Sequence, residues 1–193
     1  MDGDTTERLV RRILRVNHAG EHGAVAIYSA QIAQMGDKHP DLSEWLAETL
    51  EHEQRHRSEF RAAMPERAAK PCRALSAWRI GGAALGRMTA LLGPSAVMVC
   101  TAAVERTVHA HMQDQARFLD GCDPKLAKLV REIQAEEEAH LAYAEARQYR
   151  VSIFATALSA IVSAATETLI AISTRGDSVR LTQALQALRN SSS

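Results

Sequence analysis

Apolar and polar positions recur with helical periodicity over most of the chain. Apolar residues spaced three and four apart mark four long segments, at about 6–35, 40–64, 94–120 and 124–149. Gly36 and Pro40 separate the first two segments, and Gly121 and Pro124 separate the last two. Gly after a helix and Pro at the start of the next are typical of helix–turn–helix connections. The pattern therefore predicts two helical hairpins, at about 6–64 and 94–149, after a short tail at 1–6.

Two apolar segments lie outside the hairpins. The connector 65–93 ends in an apolar stretch, 80–93, which is rich in small residues and too short to span a bilayer, so we expect it to be interfacial or a loop. Residues 151–173 are long enough to span, but they contain many Ser, Thr and Ala residues and one charge, Glu167. This composition favours a helix that packs on the bundle or lies in a membrane interface. A short amphipathic helix is expected at 178–189.

Glu and His side chains occur inside two of the apolar stripes. Glu53 and His56 interrupt the second helical segment, and Glu137 and His140 interrupt the fourth with the same spacing. A further Glu lies 32 residues upstream of each, at positions 21 and 105. One offset of 84 residues relates the two sets, and the turn of each hairpin lies midway between its two Glu residues. The hairpins are therefore predicted to be a pseudo-repeat that brings these residues to one level.

Four carboxylates and two imidazoles at one level of a four-helix bundle indicate a metal centre. A buried carboxylate costs several kcal/mol unless it is paired, and two divalent cations would neutralise four of them. The arrangement is that of ferritin-like di-metal carboxylate proteins, in which two helices each give a Glu and two each give Glu-x-x-His. The predicted ligands are Glu21, Glu53, His56, Glu105, Glu137 and His140, with Glu53 and Glu137 as bridges. The sequence leaves open which outer Glu pairs with which His, and the ligand types favour Fe or Mn over Zn or Cu.

The other candidates are weaker. Chance alignment of surface carboxylates is the plain alternative, which the fixed offset disfavours. Four further histidines are expected on the surface or supporting the ligands: His18, His22, His39 and His52. His109 could compete with His140, although nothing in the first hairpin mirrors it. His111 is a candidate supporting residue, and Tyr28 could support the site or belong to the core.

Composition narrows the class of protein. A chain of 193 residues is most simply one domain, 1–193, and its formal net charge of zero gives no electrostatic reason to expect a nucleic-acid partner. The three Cys residues form no C-x-x-C motif, which favours a reducing compartment. The acidic residues near the N-terminus fit neither a signal peptide nor a transit peptide.

Several motifs resemble one family. The segment 17–24, Asn-His-Ala-Gly-Glu-His-Gly-Ala, followed by Ile27-Tyr28 and Gln31, resembles the opening of the demethoxyubiquinone hydroxylases. The segments 84–86, 89–93, 100–101 and 103–105 match that family's central stretch. The resemblance runs from about Arg15 to beyond His140.

The resemblance implies a di-iron monooxygenase that uses O₂ to hydroxylate the ring of a demethoxyubiquinol in ubiquinone biosynthesis. By motif, the two Fe ions would be held by the same six residues, bridged by Glu53 and Glu137. Family members bind membranes peripherally, so the two apolar segments would dock on the membrane and admit a polyprenyl tail. A bacterial inner membrane, on its cytoplasmic face, is the expected location, with the mitochondrial inner membrane as the alternative. Met112 stands where some relatives have Tyr.

The expected partners follow from the same resemblance. They are a polyprenyl demethoxyubiquinol, O₂, the membrane surface and an external electron donor, because the sequence contains no nicotinamide or flavin motif. A lipid-binding protein of the pathway could present the substrate. The alternatives are a ferritin-like ferroxidase or iron-detoxifying protein, a different di-iron hydroxylase such as one acting on tRNA, and a metal-free membrane-associated scaffold.

Overall fold

A computed structural model describes residues 3–147 and 153–175, together with Thr182. It contains α1 (Gly3–Met35), α2 (Pro40–Ala63), α3 (Leu75–Leu91), α4 (Pro94–Asp120), α5 (Pro124–Ala146) and α6 (Ile153–Thr174). Two 3₁₀ turns, Gly36–Lys38 and Pro65–Arg67, complete the regular structure of these residues, which include no strand. The predicted all-α helical bundle is confirmed. The helix expected at 178–189 lies outside the described residues, apart from Thr182.

Both hairpins have the turns that their sequences predict. In the first, α1 ends at Met35 and Gly36 takes a left-handed φ of +48°, which glycine adopts without steric cost. In the second, the Asp123 carboxylate accepts the backbone N–H of Leu126 at 3.0 Å and caps the start of α5. The expectation of a tail at 1–6 is wrong for residues 3–6, because α1 begins at Gly3.

The connector contains a helix that packs closely on α1. A Cβ atom at Gly82 would clash with the carbonyl oxygen of Gly23, and one at Gly86 would clash with that of Ile27. The absence of side chains at these two positions therefore lets the backbones of α1 and α3 touch. Trp78 covers Gly23 from the same side. The expectation of a loop was wrong here, because tertiary packing stabilises a helix that is poor in helix-forming residues.

The last helix lies against α4 and α1. Leu158 and Val162 are buried in an apolar cluster with residues of α4. Near its end, Ser173 accepts a hydrogen bond from the Trp78 indole at 2.9 Å. The 22 residues of α6 have a mean hydropathy of 1.7 in their most apolar window. By length and composition alone, this is the one helix among the described residues that could cross a membrane.

Two apolar clusters enclose the level at which the Glu and His residues lie. One contains Leu14, Phe60 and Met112, and the other contains Leu46 and Met98. Along each of the four bundle helices, the candidate ligands lie between residues of the two clusters. The polar level is therefore inside the core, where charge must be compensated.

Candidate metal centre

The six predicted ligands form two overlapping groups. One group contains Glu21, Glu53, His56 and Glu137, and the other contains Glu53, Glu105, Glu137 and His140. In each group, one ligand atom per residue lies within 4.8 Å of the others. Glu53 and Glu137 belong to both groups, as expected of bridging carboxylates. The geometry also pairs Glu21 with His56 and Glu105 with His140, which the sequence had left open.

Burial makes this cluster unstable as four free carboxylates. None of the six side chains is more than 4% exposed. Burial, reinforced by the neighbouring carboxylates, raises the pKa values of Glu21 and Glu105 well above their usual range. Burial also acts to raise the pKa of Glu137, but hydrogen bonds from His140 and His56 outweigh it and lower that pKa. The metal-free centre thus limits its charge with protons on the outer Glu residues and on the imidazoles.

The imidazole contacts follow the same logic. Burial disfavours a charged His140, yet hydrogen bonds to Glu137 and Glu53 raise its pKa to about 10. His140 Nδ1 lies 3.1 Å from Glu137 Oε2, and His56 Nδ1 lies 2.9 Å from Glu137 Oε1. Both rings therefore turn Nδ1 toward the carboxylates, so Nδ1 is the atom available to a cation.

Unsatisfied atoms at the centre indicate room for a cation. Among the described residues, Glu53 Oε1 and His56 Nδ1 are buried and have no hydrogen-bond partner of good geometry, despite their close neighbours. Buried polar atoms are rarely left so, because each costs about 1–3 kcal/mol. A pair of divalent ions would satisfy both atoms and replace the protons that the outer Glu residues otherwise need. The donor set therefore fits two oxygen-preferring metal ions.

The ligands are held by a ring of outer contacts. The Tyr28 hydroxyl donates to Glu105 Oε1 at 2.8 Å, so this tyrosine touches the centre as well as the core. His52 Nδ1 lies 3.0 Å from His140 Nε2, and Glu136 Oε2 lies 3.2 Å from His56 Nε2. The sequence did not single out Glu136. Its one signal is its place 84 residues after His52.

The remaining histidines lie elsewhere. His111 pairs with Glu167 of α6 at 2.9 Å, and no described contact joins it to a ligand. His109 approaches Gln134 and belongs to neither metal-binding group of the described residues. His18 is buried, and burial together with nearby Arg61 lowers its pKa to about 4, so it is neutral at pH 7. Burial also lowers the pKa of His22.

An apolar cavity of about 350 Å³ leads to the carboxylates. Residues of α1, α3, α4 and α6 line it, and its polar inner lining includes Glu21, Glu105 and Glu137. Met88 and Ile161 also line it, and these are 45% and 63% exposed, so the cavity reaches the protein surface. His111 lies along the same cavity. A largely apolar molecule could therefore reach the metal-binding level from outside.

The cavity opens on an apolar surface. The large apolar side chains that are exposed among the described residues all come from α3, its C-terminal cap and α6: Ile80, Met88, Leu91, Leu92, Ile153, Phe154, Ile161 and Ile172. We call these eight residues the apolar surface. Contiguous exposed apolar groups of this kind usually mark a binding or membrane-contacting face.

Comparison with known proteins agrees with the geometry. The sequence model of the family described as "Ubiquinone biosynthesis protein COQ7" matches residues 8–173, which include all six candidate ligands. The chain belongs to the COQ7 family. Proteins of this family that resemble the chain are named as hydroxylases, so the chain belongs to a family of enzymes.

Two relatives resemble most of the chain. The 3-demethoxyubiquinol 3-hydroxylase of Rhodospirillum rubrum is 34% identical over 86% of this chain and 78% of its own length. The mitochondrial NADPH-dependent 3-demethoxyubiquinone 3-hydroxylase of Dictyostelium discoideum is 30% identical over 87% of this chain and 78% of its own length. The protein of the latter name in Homo sapiens is 36% identical over 68% of this chain and 61% of its own length.

Proposed function

We propose that this COQ7 family member is a di-iron, O₂-dependent monooxygenase that hydroxylates the ring of a demethoxyubiquinol in ubiquinone biosynthesis. The observation that carries the proposal is the meeting of two features. A buried group of four Glu and two His residues, fit for two metal ions, lines the inner end of an apolar cavity that reaches the surface. The names of the relatives specify the ring and the reaction.

The six side chains would hold the metal ions in two overlapping sets. Glu21 and His56 would serve one position and Glu105 and His140 the other, with Glu53 and Glu137 shared between them. Iron bound there supplies the reductive activation of O₂, which protein side chains cannot perform. Fe is preferred over Mn because hydroxylation needs a redox-active metal, and the ligand types suit both.

The cavity would orient the substrate and exclude water. Its apolar lining suits the polyprenyl tail, and its carboxylate end suits the hydroxyl-bearing ring. Hydroxylation converts one ring C–H bond into C–OH. The second oxygen atom of O₂ leaves as water, and this requires two electrons and two protons. An apolar cavity that keeps bulk water from the reacting atoms limits wasteful reduction of O₂.

The electrons would come from outside the chain. Two of the relatives are named as NADPH-dependent, so a reduced nicotinamide is the first reductant to test. A small reductant or the quinol pool is an alternative source. The described residues therefore have to bind the quinol and the metals but not generate the electrons.

The apolar surface would rest on a membrane from which the quinol enters. Helices α3 and α6 carry this surface and also line the cavity, so a lipid-soluble substrate could pass inward without crossing water. Contacts of α6 with α1 and α4 favour a peripheral position over a span. We place the protein on the inner membrane, at its cytoplasmic face in a bacterium. A lipid-binding partner that delivers the quinol is compatible with this position.

Mass spectrometry of the quinone tests the proposal. Iron-loaded protein, a demethoxyquinol, a reductant and O₂ should yield a product one oxygen atom heavier, and metal-free protein should not. Unchanged quinone together with rapid oxidation of free Fe²⁺ would replace the proposal with a ferroxidase. Failure to bind iron would exclude both activities.

A further inference from the structure

The pseudo-repeat is broken next to the candidate bridging residues. His52 precedes Glu53, and Glu136 precedes Glu137, so these two residues occupy matching positions in the two hairpins. One is an imidazole and the other a carboxylate. Every candidate ligand keeps its residue type under the same offset. The difference at this position is therefore a departure from the repeat where the ligands are supported.

Each of the two residues contacts a ligand of the other hairpin. His52 Nδ1 lies 3.0 Å from His140 Nε2, and the two rings stack with centroids 5.3 Å apart. Glu136 Oε2 lies 3.2 Å from His56 Nε2 and also pairs with Arg55. Both contacts join α2 to α5, at the outer nitrogen of a candidate ligand. The two residues are thus equivalent in place and opposite in direction.

The partner of the outer nitrogen decides how strongly a histidine donates to a metal. With Nδ1 on a cation, the neutral ring carries its proton on Nε2 and donates it outward. In His56 that N–H meets the Glu136 carboxylate, which raises the basicity of the ligating imidazole. In His140 it meets His52, which carries no negative charge to do the same. His56 is therefore the stronger donor.

A second departure from the repeat acts at the same end. Tyr28 donates a hydrogen bond to Glu105 Oε1 at 2.8 Å, which draws negative charge away from that carboxylate. The matching position in the second hairpin is Met112, a buried residue that offers no donor to Glu21. The Glu105 and His140 end thus has both the weaker carboxylate and the weaker imidazole.

We propose that Glu136, His52 and Tyr28 are positioning residues that make the two metal positions unequal. The position served by Glu21 and His56 binds a divalent ion more tightly than the position served by Glu105 and His140. The inference rests on the di-metal centre of the proposed function. It adds an order of filling, so that an ion enters the Glu21 and His56 position first.

Titration of the metal-free full chain with Mn²⁺ tests this order. Calorimetry should resolve two binding steps, and electron paramagnetic resonance at one equivalent should show mainly isolated Mn²⁺ rather than a coupled pair. Glu136→Gln should weaken the first step by about 10–100-fold, the usual effect of losing such a support. Glu138→Gln is the matched control, because it removes an exposed carboxylate of the same helix that has no contact with His56.

Two reciprocal variants keep the inference falsifiable if Glu136→Gln alters the fold. His52→Glu places a carboxylate behind His140 and should strengthen the second step, so that the two steps merge. Tyr28→Phe removes the hydrogen bond to Glu105 and should strengthen the same step. Circular dichroism of each metal-free variant checks that the helices are intact.

The outcomes separate the inference from the function on which it rests. Two steps of equal intrinsic affinity in the wild type, with coupled spectra at one equivalent, would overturn the inference and leave the di-metal centre standing. Equal effects of Glu136→Gln and Glu138→Gln on the first step would overturn it in the same way. Binding of no Mn²⁺ would remove the di-metal centre and the inference together.

Discussion

At the residue scale, Glu137 carries the most contacts of the candidate ligands. It meets both imidazoles and belongs to both metal-binding groups. We predict that Glu137→Ala abolishes binding of two iron ions and turnover, because it removes a ligand from each position at once. Metal analysis of purified protein after anaerobic loading with Fe²⁺ measures this directly.

The control for that variant is Glu138→Ala, which truncates the neighbouring exposed carboxylate. It should retain the wild-type iron content. Retention of both ions by Glu137→Ala would contradict the ligand assignment. Circular dichroism would distinguish loss of metal from loss of the bundle.

Asp123 links the turn of the second hairpin to the end of the first. Its carboxylate caps α5 through the N–H of Leu126 and forms an ion pair with Arg67. We predict that Asp123→Ala lowers the free energy of unfolding by about 0.5–2 kcal/mol, the usual effect of losing a helix N-cap. Urea denaturation at pH 7 measures it.

The same residue gives a pH dependence with a definite sign. Arg67 lowers the pKa of Asp123 in the folded protein below its value in the unfolded chain, which is about 3.9. Its stabilising contribution is therefore fully present above that pH and is lost as the pH falls through the lower, folded pKa. The gap in unfolding free energy between the wild type and Asp123→Asn should shrink below about pH 4. A gap that stayed constant into acid would contradict this.

The ligands were predictable from sequence, whereas their supports were not. Glu and His at helical spacing inside an apolar stripe have to face the core, and the 84-residue offset brings the two sets to one level. His52 and Glu136 lie just before the bridging Glu residues and are recognisable only from contacts between α2 and α5. Periodicity reports which face of a helix a residue occupies but not which side chain it meets on another helix.

At the scale of elements, α3 depends on its close approach to α1. We predict that Gly86→Ala destabilises the protein by about 1–3 kcal/mol, the usual cost of overpacking. The new Cβ atom would clash with the carbonyl oxygen of Ile27 and push the helices apart. Thermal or urea unfolding of the metal-free protein provides the measurement.

Gly81→Ala is the matched control in the same helix. Nothing lies within 4 Å of a Cβ atom built at Gly81. Ala is favoured over Gly in a helix by about 0.8–1 kcal/mol, so this variant should be slightly stabilised. Equal destabilisation by both substitutions would show that helix propensity, and not contact with α1, determines the result.

The hairpins and α3 differ in how much their own sequences specify. The hairpins have long amphipathic stripes, a Gly or an Asp cap at each turn and Pro at the helix starts, so local signals agree with the final fold. The connector has small apolar residues and several Gly, with neither periodicity nor strong helix formers. Its helix forms because α1 offers a complementary surface, which no local pattern reveals.

At the scale of the whole molecule, the apolar surface should control attachment to membranes. We predict that replacing Ile80 and Leu91 with Ser weakens binding to phospholipid vesicles by more than tenfold per residue. Full burial of such a side chain contributes about 1.5–3 kcal/mol, and about 1.4 kcal/mol is a factor of ten. Both residues are more than 60% exposed, so the bundle itself should tolerate the change. Co-sedimentation with vesicles measures the binding.

Ala135→Ser on α5 is the control, because it introduces the same polar group at an exposed position away from the apolar surface. Its vesicle binding should match that of the wild type. Binding of the double variant at wild-type strength in high salt would contradict attachment through the apolar surface.

The fate of oxygen in the reaction tests the central claim most directly. Iron-loaded protein would be given a demethoxyquinol, a reductant and oxygen-18 gas in ordinary water, and the quinone product would be analysed by mass spectrometry. We predict a product that contains one atom of oxygen-18, absent in the Glu137→Ala variant and retained in Glu138→Ala. A product whose new oxygen comes from water, or a quinone left unchanged by protein with both ions bound, would contradict the account.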